Sequence, residues 1–106
     1  METKQLTPEG LSPEVKDKIV GLCKSIVPKA SIWLYGSRAR GDYSERSDID
    51  LALDAQQPID FFAIAELKEV LEAANIPYKF DIVDINAIQD EKFKHAVKKE
   101  MILWRT

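Results

Sequence analysis

An alternating run at residues 48–54 constrains the fold of this chain more than any other feature. Acidic or small side chains occupy every second position and apolar ones the positions between: Asp48, Asp50, Ala52 and Asp54 against Ile49, Leu51 and Leu53. Because successive side chains of a strand point to opposite faces, the run predicts a strand with one face against the core. Asp48 and Asp50 then share the other face, about 7 Å apart at their Cα atoms from a rise of ~3.3 Å per residue.

Periodic apolar residues predict helices on both sides of this strand. Ser12 and Pro13 are a helix start, and Pro28 ends that helix. A second helix begins at Asp60 as cap and runs to about residue 75, with Phe61 on its apolar stripe, and a third covers residues 86–100.

Short apolar runs predict further strands at 32–35 and 79–85. The run 79–85 is apolar on both faces apart from two aspartates, which predicts a central position in the sheet. Residues 101–105 fit either an edge strand or a continued helix. The fold class predicted is α+β, a small mixed β-sheet with helices packed on it. Residues 1–11 are expected to form a flexible N-terminal segment and residues 12–106 a single domain.

Composition narrows the range of functions. The net charge of −3 over 106 residues argues against a protein that grips nucleic acid through its phosphates, although a small nucleotide remains possible. The single cysteine, Cys23, permits no internal disulfide. No apolar run approaches the ~18 residues of a membrane span, and no signal peptide is expected, so we expect a cytoplasmic protein without a membrane partner.

The turn after the first predicted strand has the composition of a phosphate site. Gly36 lets backbone approach a ligand closely, and the Ser37 hydroxyl can donate to a phosphate oxygen. Arg38 and Arg40 can add charge-assisted hydrogen bonds to the same group. A Gly-Ser pair alone is weak evidence for a phosphate site, because a plain turn with two solvated arginines would produce the same pattern.

Three aspartates suit divalent cations. Asp48 and Asp50 share a strand face, and Asp81 lies between apolar residues of a strand expected to be buried, where an unpaired charge is costly. If the two strands are neighbours, the three carboxylates can hold two Mg²⁺ ions ~3.5–4 Å apart, an arrangement used for phosphoryl displacement. The alternative is a strand end with solvated acids.

The Gly36–Ser37 turn, the pair Asp48 and Asp50, and the later Asp81 together resemble the nucleotidyltransferase superfamily of the DNA polymerase β type. The short length resembles its minimal nucleotidyltransferase branch. The resemblance implies a palm-like fold, nucleotide phosphates on the Gly-Ser turn and two metals on the aspartates, with Asp81 helping to activate the attacking hydroxyl. It also implies an antitoxin that transfers AMP from ATP to a HEPN-type toxin, at a tyrosine hydroxyl.

Two other functions stay open. One is a binding module that neutralises a partner by contact alone, through the apolar residues 101–104 or an exposed helix face. The other is a transferase whose acceptor is a small hydroxylated molecule, such as an aminoglycoside.

Overall fold

Four strands form one mixed sheet in the computed structural model, which describes residues 6–106. The strands are β1 (Ser31–Tyr35), β2 (Ile49–Asp54), β3 (Phe80–Asp84) and β4 (Ile102–Arg105). Their order is β3-β2-β1-β4, with β1 antiparallel to β2 and β4, and β2 parallel to β3. The predicted α+β class with a small mixed sheet is confirmed. Of the two alternatives for residues 101–105, an edge strand or a continued helix, the structure shows the edge strand.

The helices are α1 (Pro13–Ile26), α2 (Ser37–Arg40), α3 (Phe61–Ala73) and α4 (Glu91–Glu100). Side-chain oxygens cap the longer ones as expected for these residue types. Ser12 accepts from the Val15 amide, and Asp60 from the Phe62 amide. The last helix begins later than predicted, because Ile85–Ala87 form a 3-10 turn and Ile88 has extended backbone angles.

The two faces of the sheet are covered by different helices. The main core joins one face to α1 and α3, and its buried members include Ile19, Cys23, Leu34, Leu51 and Leu67. A smaller apolar cluster joins the other face to α4 and contains Tyr35, Ala52, Ile85 and Val97. The site described below begins where this smaller cluster ends.

Strand β3 lies at an edge of the sheet, so the prediction of a central position was wrong. The run is apolar on both faces because both are covered: Ile82 joins the main core and Val83 packs against the smaller cluster. Asp81 is correspondingly exposed, not buried.

Residues 7–11 contact the domain, and residues 1–5 of the segment predicted to be flexible (1–11) lie outside the described residues. Leu11 is fully buried in the main core. The Thr7 amide and the Leu11 carbonyl are hydrogen-bonded, and Tyr43 donates to the Pro8 carbonyl. Burial of Leu11 therefore fixes this stretch.

Phe61 is 77% exposed, so the predicted apolar stripe of α3 does not include it. It lies in the first turn of the helix, beyond the edge of the core, and its ring meets that of the equally exposed Phe62. Within the described part of the chain, no helix combines the length and the apolar character needed to cross a membrane.

Candidate active site

Three polar side chains form a row across the sheet at one end of β2. Asp50 pairs with Tyr35 on β1 and with Asp81 on β3. Residues paired directly across strands project from the same face. The register therefore places Asp81 beside Asp50, on the face opposite the main core. Asp48 is exposed, just before β2 begins.

Burial and neighbouring negative charges raise the pKa of Asp50 to about 6. Burial is the largest cause, followed by the charges of Asp81 and Asp48. Arg40 opposes the shift and Glu100 adds to it. The structure thus holds several acids close enough to repel one another, without enough positive charge to balance them.

Tyr35 fixes the position of Asp81. Its hydroxyl donates to Asp81 Oδ2 over 2.6 Å, and the side chain is buried. Burial and this hydrogen bond raise the pKa of Tyr35, so the hydroxyl stays a proton donor. On its other side, the ring meets Phe93 of α4 edge to face, with centroids 6.3 Å apart. The hydrogen bond from Tyr35 thereby holds the carboxylate of Asp81 in place.

Gly36 is required by both backbone and space. Its φ is +78°, a conformation that L side chains rarely adopt, and a Cβ there would overlap the Asp50 carboxylate. The turn therefore lies directly against Asp50. Ser37 opens α2 and is partly exposed beside the same carboxylates, lining a common depression with Asp48 and Asp50.

Arg38 does not reach this depression, although the sequence suggested it as a phosphate ligand. It is only 2% exposed, and its guanidinium donates to four backbone carbonyls, those of Glu9, Ser44, Glu45 and Ser47. The ring centroids of Tyr43 and Tyr78 lie 5.0 and 4.9 Å from its Cζ. Arg38 instead organises the loop that leads to Asp48. Its donors are taken up by the protein because it points into the fold from the first turn of α2.

Arg40 lies at the depression and is exposed. Its guanidinium contacts Asp42 Oδ2 at 3.3 Å and Glu100 Oε2 at 3.1 Å. These contacts raise the pKa of Arg40, with the hydrogen bond to Glu100 the larger cause. Of the two arginines, Arg40 alone is placed to meet a ligand.

The depression has a volume of about 500 Å³ and brings together residues far apart in sequence. The predicted residues at its wall are Gly36, Ser37, Arg40, Asp48 and Asp50. Tyr35, Phe93, Ala96 and Glu100 also line it. Among residues 6–106, no group of three or more His, Cys, Asp or Glu side chains is close enough to form a metal site by itself.

Two other acids of the strands have structural partners. Asp54 accepts from the Asn86 side chain and the Gln56 amide, and Asp84 accepts from the amides of Ile59 and Asn86. Both carboxylates thus fasten strand ends to the adjoining turns, away from the depression.

Sequence reasoning missed Tyr35 and Glu100. Tyr35 precedes the Gly-Ser turn and pairs directly with Asp50 across the sheet, so it can be found once the strands are paired. Glu100 sits at the polar end of α4 like several other charged residues, and nothing in the sequence distinguishes it.

Comparisons with known sequences identify the family. The family profile described as "Polymerase beta, Nucleotidyltransferase" matches residues 17–105. A relative from Haemophilus influenzae, named "Probable protein adenylyltransferase MntA", is 31% identical over 94 residues, which is 85% of this chain and 82% of the relative. "Protein adenylyltransferase MntA" of Shewanella oneidensis is 32% identical over 92 residues, 86% of this chain and 66% of that protein.

Solved structures share the fold. A crystal structure of a toxin-antitoxin with AMP-PNP has a TM-score of 0.71 at 30% identity, covering 86% of this chain and 73% of that one. A complex of tri-AMPylated Shewanella oneidensis HEPN toxin with MNT antitoxin has a TM-score of 0.67 at 27% identity, covering 88% and 71%. The profile match spans most of the sequence. This chain is therefore a member of the polymerase β nucleotidyltransferase family.

Proposed function

We propose that this chain transfers AMP from ATP to a tyrosine hydroxyl of a HEPN-type partner protein and so acts as the antitoxin of a pair. The observation that carries the proposal is the register of β1, β2 and β3, which sets Asp50 beside Asp81 and against the Gly36 turn. Relatives named protein adenylyltransferase, and a neighbour solved as an AMPylated HEPN toxin with its MNT antitoxin, supply the nucleotide and the class of acceptor.

The acidic end of β2 fits divalent cations. The charge of Asp50 is disfavoured by burial and by its neighbours Asp81 and Asp48, so a cation would relieve the repulsion. Magnesium takes one or two carboxylates together with waters and substrate phosphates, which agrees with a protein that supplies only part of the ligand set. We assign Asp48, Asp50 and Asp81 as ligands of two Mg²⁺ ions. When bound, these ions supply stabilisation of the charge that develops on the transferred group.

The turn before α2 would hold the nucleotide phosphates. Ser37 offers a hydroxyl, and no hydrogen bond within the described residues engages that hydroxyl. Arg40 offers an exposed guanidinium at the same depression. A charge-assisted hydrogen bond to phosphate is shorter and stronger than a neutral one, so Arg40 contributes more than Ser37. Arg38 takes no part, since its donors are used by backbone carbonyls.

Asp81 would receive the proton of the acceptor. Tyr35 donates to its Oδ2, while no donor among residues 6–106 bonds to Oδ1. The acceptor oxygen attacks the α-phosphorus of ATP, its proton passes to Asp81, and the bond to pyrophosphate breaks. The new bond joins the tyrosine oxygen to AMP. Positioning and charge stabilisation account for most catalysis in such transfers.

The test is the intact mass of the HEPN-type partner after incubation with this chain, ATP and Mg²⁺. We expect increments of one or more AMP units, absent when EDTA is added or when Asp48→Asn and Asp50→Asn are combined. A matched control carries Asp17→Asn and Glu69→Gln, two exposed acids on α1 and α3, and should label the partner as the wild type does. Equal labelling by the Asp48/Asp50 variant would contradict the proposal.

Neutralisation by contact alone is the second candidate, because apolar side chains stay exposed at two places. Phe61 and Phe62 are 77% and 76% exposed, and Ile102 and Leu103 of β4 are also exposed. Full neutralisation of the toxin by the Asp48/Asp50 variant would favour this function. Loss of neutralisation together with labelling would favour transfer.

A further inference from the structure

One carboxylate holds two of the donors at the turn. Glu100 Oε1 accepts the Gly36 amide at 3.0 Å, and Oε2 accepts from Arg40 at 3.1 Å. Glu100 is the last residue of α4, more than sixty positions along the chain from Gly36. The contact is therefore a long-range one, made where α4 closes over the end of the sheet.

The same two donors are suited to an anionic ligand. A backbone amide and a guanidinium side by side present hydrogen bonds and positive charge in one direction. Glu100 lines the depression together with Asp48 and Asp50, so it stands on the ligand side of the turn, not behind it. A phosphate oxygen and the Glu100 carboxylate would compete for the same N–H groups, and their like charges would repel.

We propose that Glu100 is an internal anion that occupies the phosphate-binding donors of the nucleotide-free protein and lowers its affinity for nucleoside triphosphate. The inference rests on the proposed function, because it names the residue that the nucleotide displaces. On binding, Gly36 and Arg40 exchange the carboxylate for a phosphate oxygen, and Glu100 turns toward solvent. Its side chain is already 21% exposed, which leaves a route outward.

Displacement of the Glu100 side chain would also affect the end of α4. Met101 follows Glu100 directly as the C-cap, and β4 starts at Ile102. Release of Glu100 removes a contact between this junction and the turn at Gly36. Nucleotide binding therefore loosens the α4–β4 junction, whose strand carries the exposed Ile102 and Leu103.

The test compares binding of Mg²⁺·ATP to the full chain and to Glu100→Gln by calorimetry. The Gln side chain can still accept from Gly36 but carries no charge. We expect the Kd to fall by roughly two- to fivefold, because a partly exposed ion pair contributes at most about a factor of five. Inorganic tripolyphosphate should show the same gain, since the effect passes through the phosphates. Glu69→Gln, an exposed acid on the opposite side of the sheet, controls for net charge and should leave both Kd values unchanged.

Two further variants test the inference independently. Glu100→Asp keeps the charge but shortens the side chain, so binding should tighten by a smaller factor even if the Gln variant folds poorly. Arg40→Gln should weaken ATP binding more in the Glu100→Gln background than in the wild type, because Arg40 no longer has to leave an internal partner.

Unchanged or weaker ATP binding by Glu100→Gln and by Glu100→Asp, with normal binding by the wild type, would overturn this inference and leave the proposed function standing. Absence of ATP binding in the wild type and in every variant would overturn both. Binding by Glu100→Gln alone would support the inference in its strongest form.

Discussion

The two faces of β2 differ in what they do. Leu51 and its neighbours on one face are fully buried against α1 and α3 and hold the domain together. Asp50, one position away, projects from the other face between Tyr35 and Asp81, where burial and the neighbouring carboxylates disfavour its charge. Because alternation sends adjacent residues to opposite sides, a single strand can carry stability on one face and chemistry on the other. The difference shows that the acidic end costs stability, which the apolar face offsets.

The largest expected effect is on catalysis. Combining Asp48→Asn with Asp50→Asn should lower the rate of AMP transfer on the order of a thousandfold, as when groups that stabilise transition-state charge are removed. Single-turnover labelling of the partner measures the rate. The same variant should unfold at an unchanged or higher denaturant concentration, since repulsion at Asp50 is relieved. A variant that keeps its activity, or loses it only because it unfolds, would contradict the assignment of catalysis to this face of β2.

A substitution on the apolar face of β2 should lower stability and leave activity unchanged. Leu51→Ala leaves a cavity in the main core and should lower the free energy of unfolding by about 2–5 kcal/mol. At temperatures where this variant is still folded, the rate of AMP transfer should stay near that of the wild type. Urea unfolding followed by tryptophan fluorescence measures the first quantity. A stability loss under about 1 kcal/mol, the size expected for a surface substitution, would contradict the packing described.

The two arginines of α2 are expected to differ in the same way, Arg38 contributing to stability and Arg40 to ligand binding. Arg38→Ala leaves several carbonyls without their donor and should cost about 2–3 kcal/mol of unfolding free energy. Arg40→Ala breaks only exposed ion pairs, so stability should hardly change while the Kd for ATP rises. Chemical unfolding of both variants measures the change in stability, and calorimetry measures the Kd for ATP. Equal destabilisation by the two would show that Arg38 is not the structural member of the pair.

The smallest effect is a pH dependence of stability. The pKa of Asp50 is raised to about 6 in the folded chain, above its ordinary value of 3.8, so the folded state binds more protons between these limits. Stability contributed by this group is therefore present at low pH and is lost as the pH rises toward 6. The Tm advantage of Asp50→Asn over the wild type should grow from pH 4 to pH 7. A constant advantage would mean that Asp50 titrates normally.

Much of the fold follows from local patterns. Alternation at 48–54 and the caps at Ser12 and Asp60 predict their elements because these signals depend on neighbouring residues only. The edge position of β3 could not be predicted, since burial of both faces by helices imitates a central strand. Burial of Leu11 likewise depends on contacts distant in sequence.

The residues of the candidate site likewise fall into those that local sequence signals predict and those that depend on distant contacts. Gly36, Asp48, Asp50 and Asp81 are recognisable from residue type and spacing, and the register sets Asp50 beside Asp81. The different environments of Arg38 and Arg40 have no sequence signal, because the partners of Arg38 are backbone carbonyls that any residue provides. Glu100 is found only when α4 is placed over the sheet end.

The most direct measurement is a crystal structure of this chain with Mg²⁺ and AMP-PNP. We expect metal density contacted by the carboxylates of Asp48, Asp50 and Asp81, with the nucleotide phosphates against Gly36 and Ser37. Nucleotide bound elsewhere on the sheet, or metal that leaves residues 50 and 81 untouched, would contradict the account.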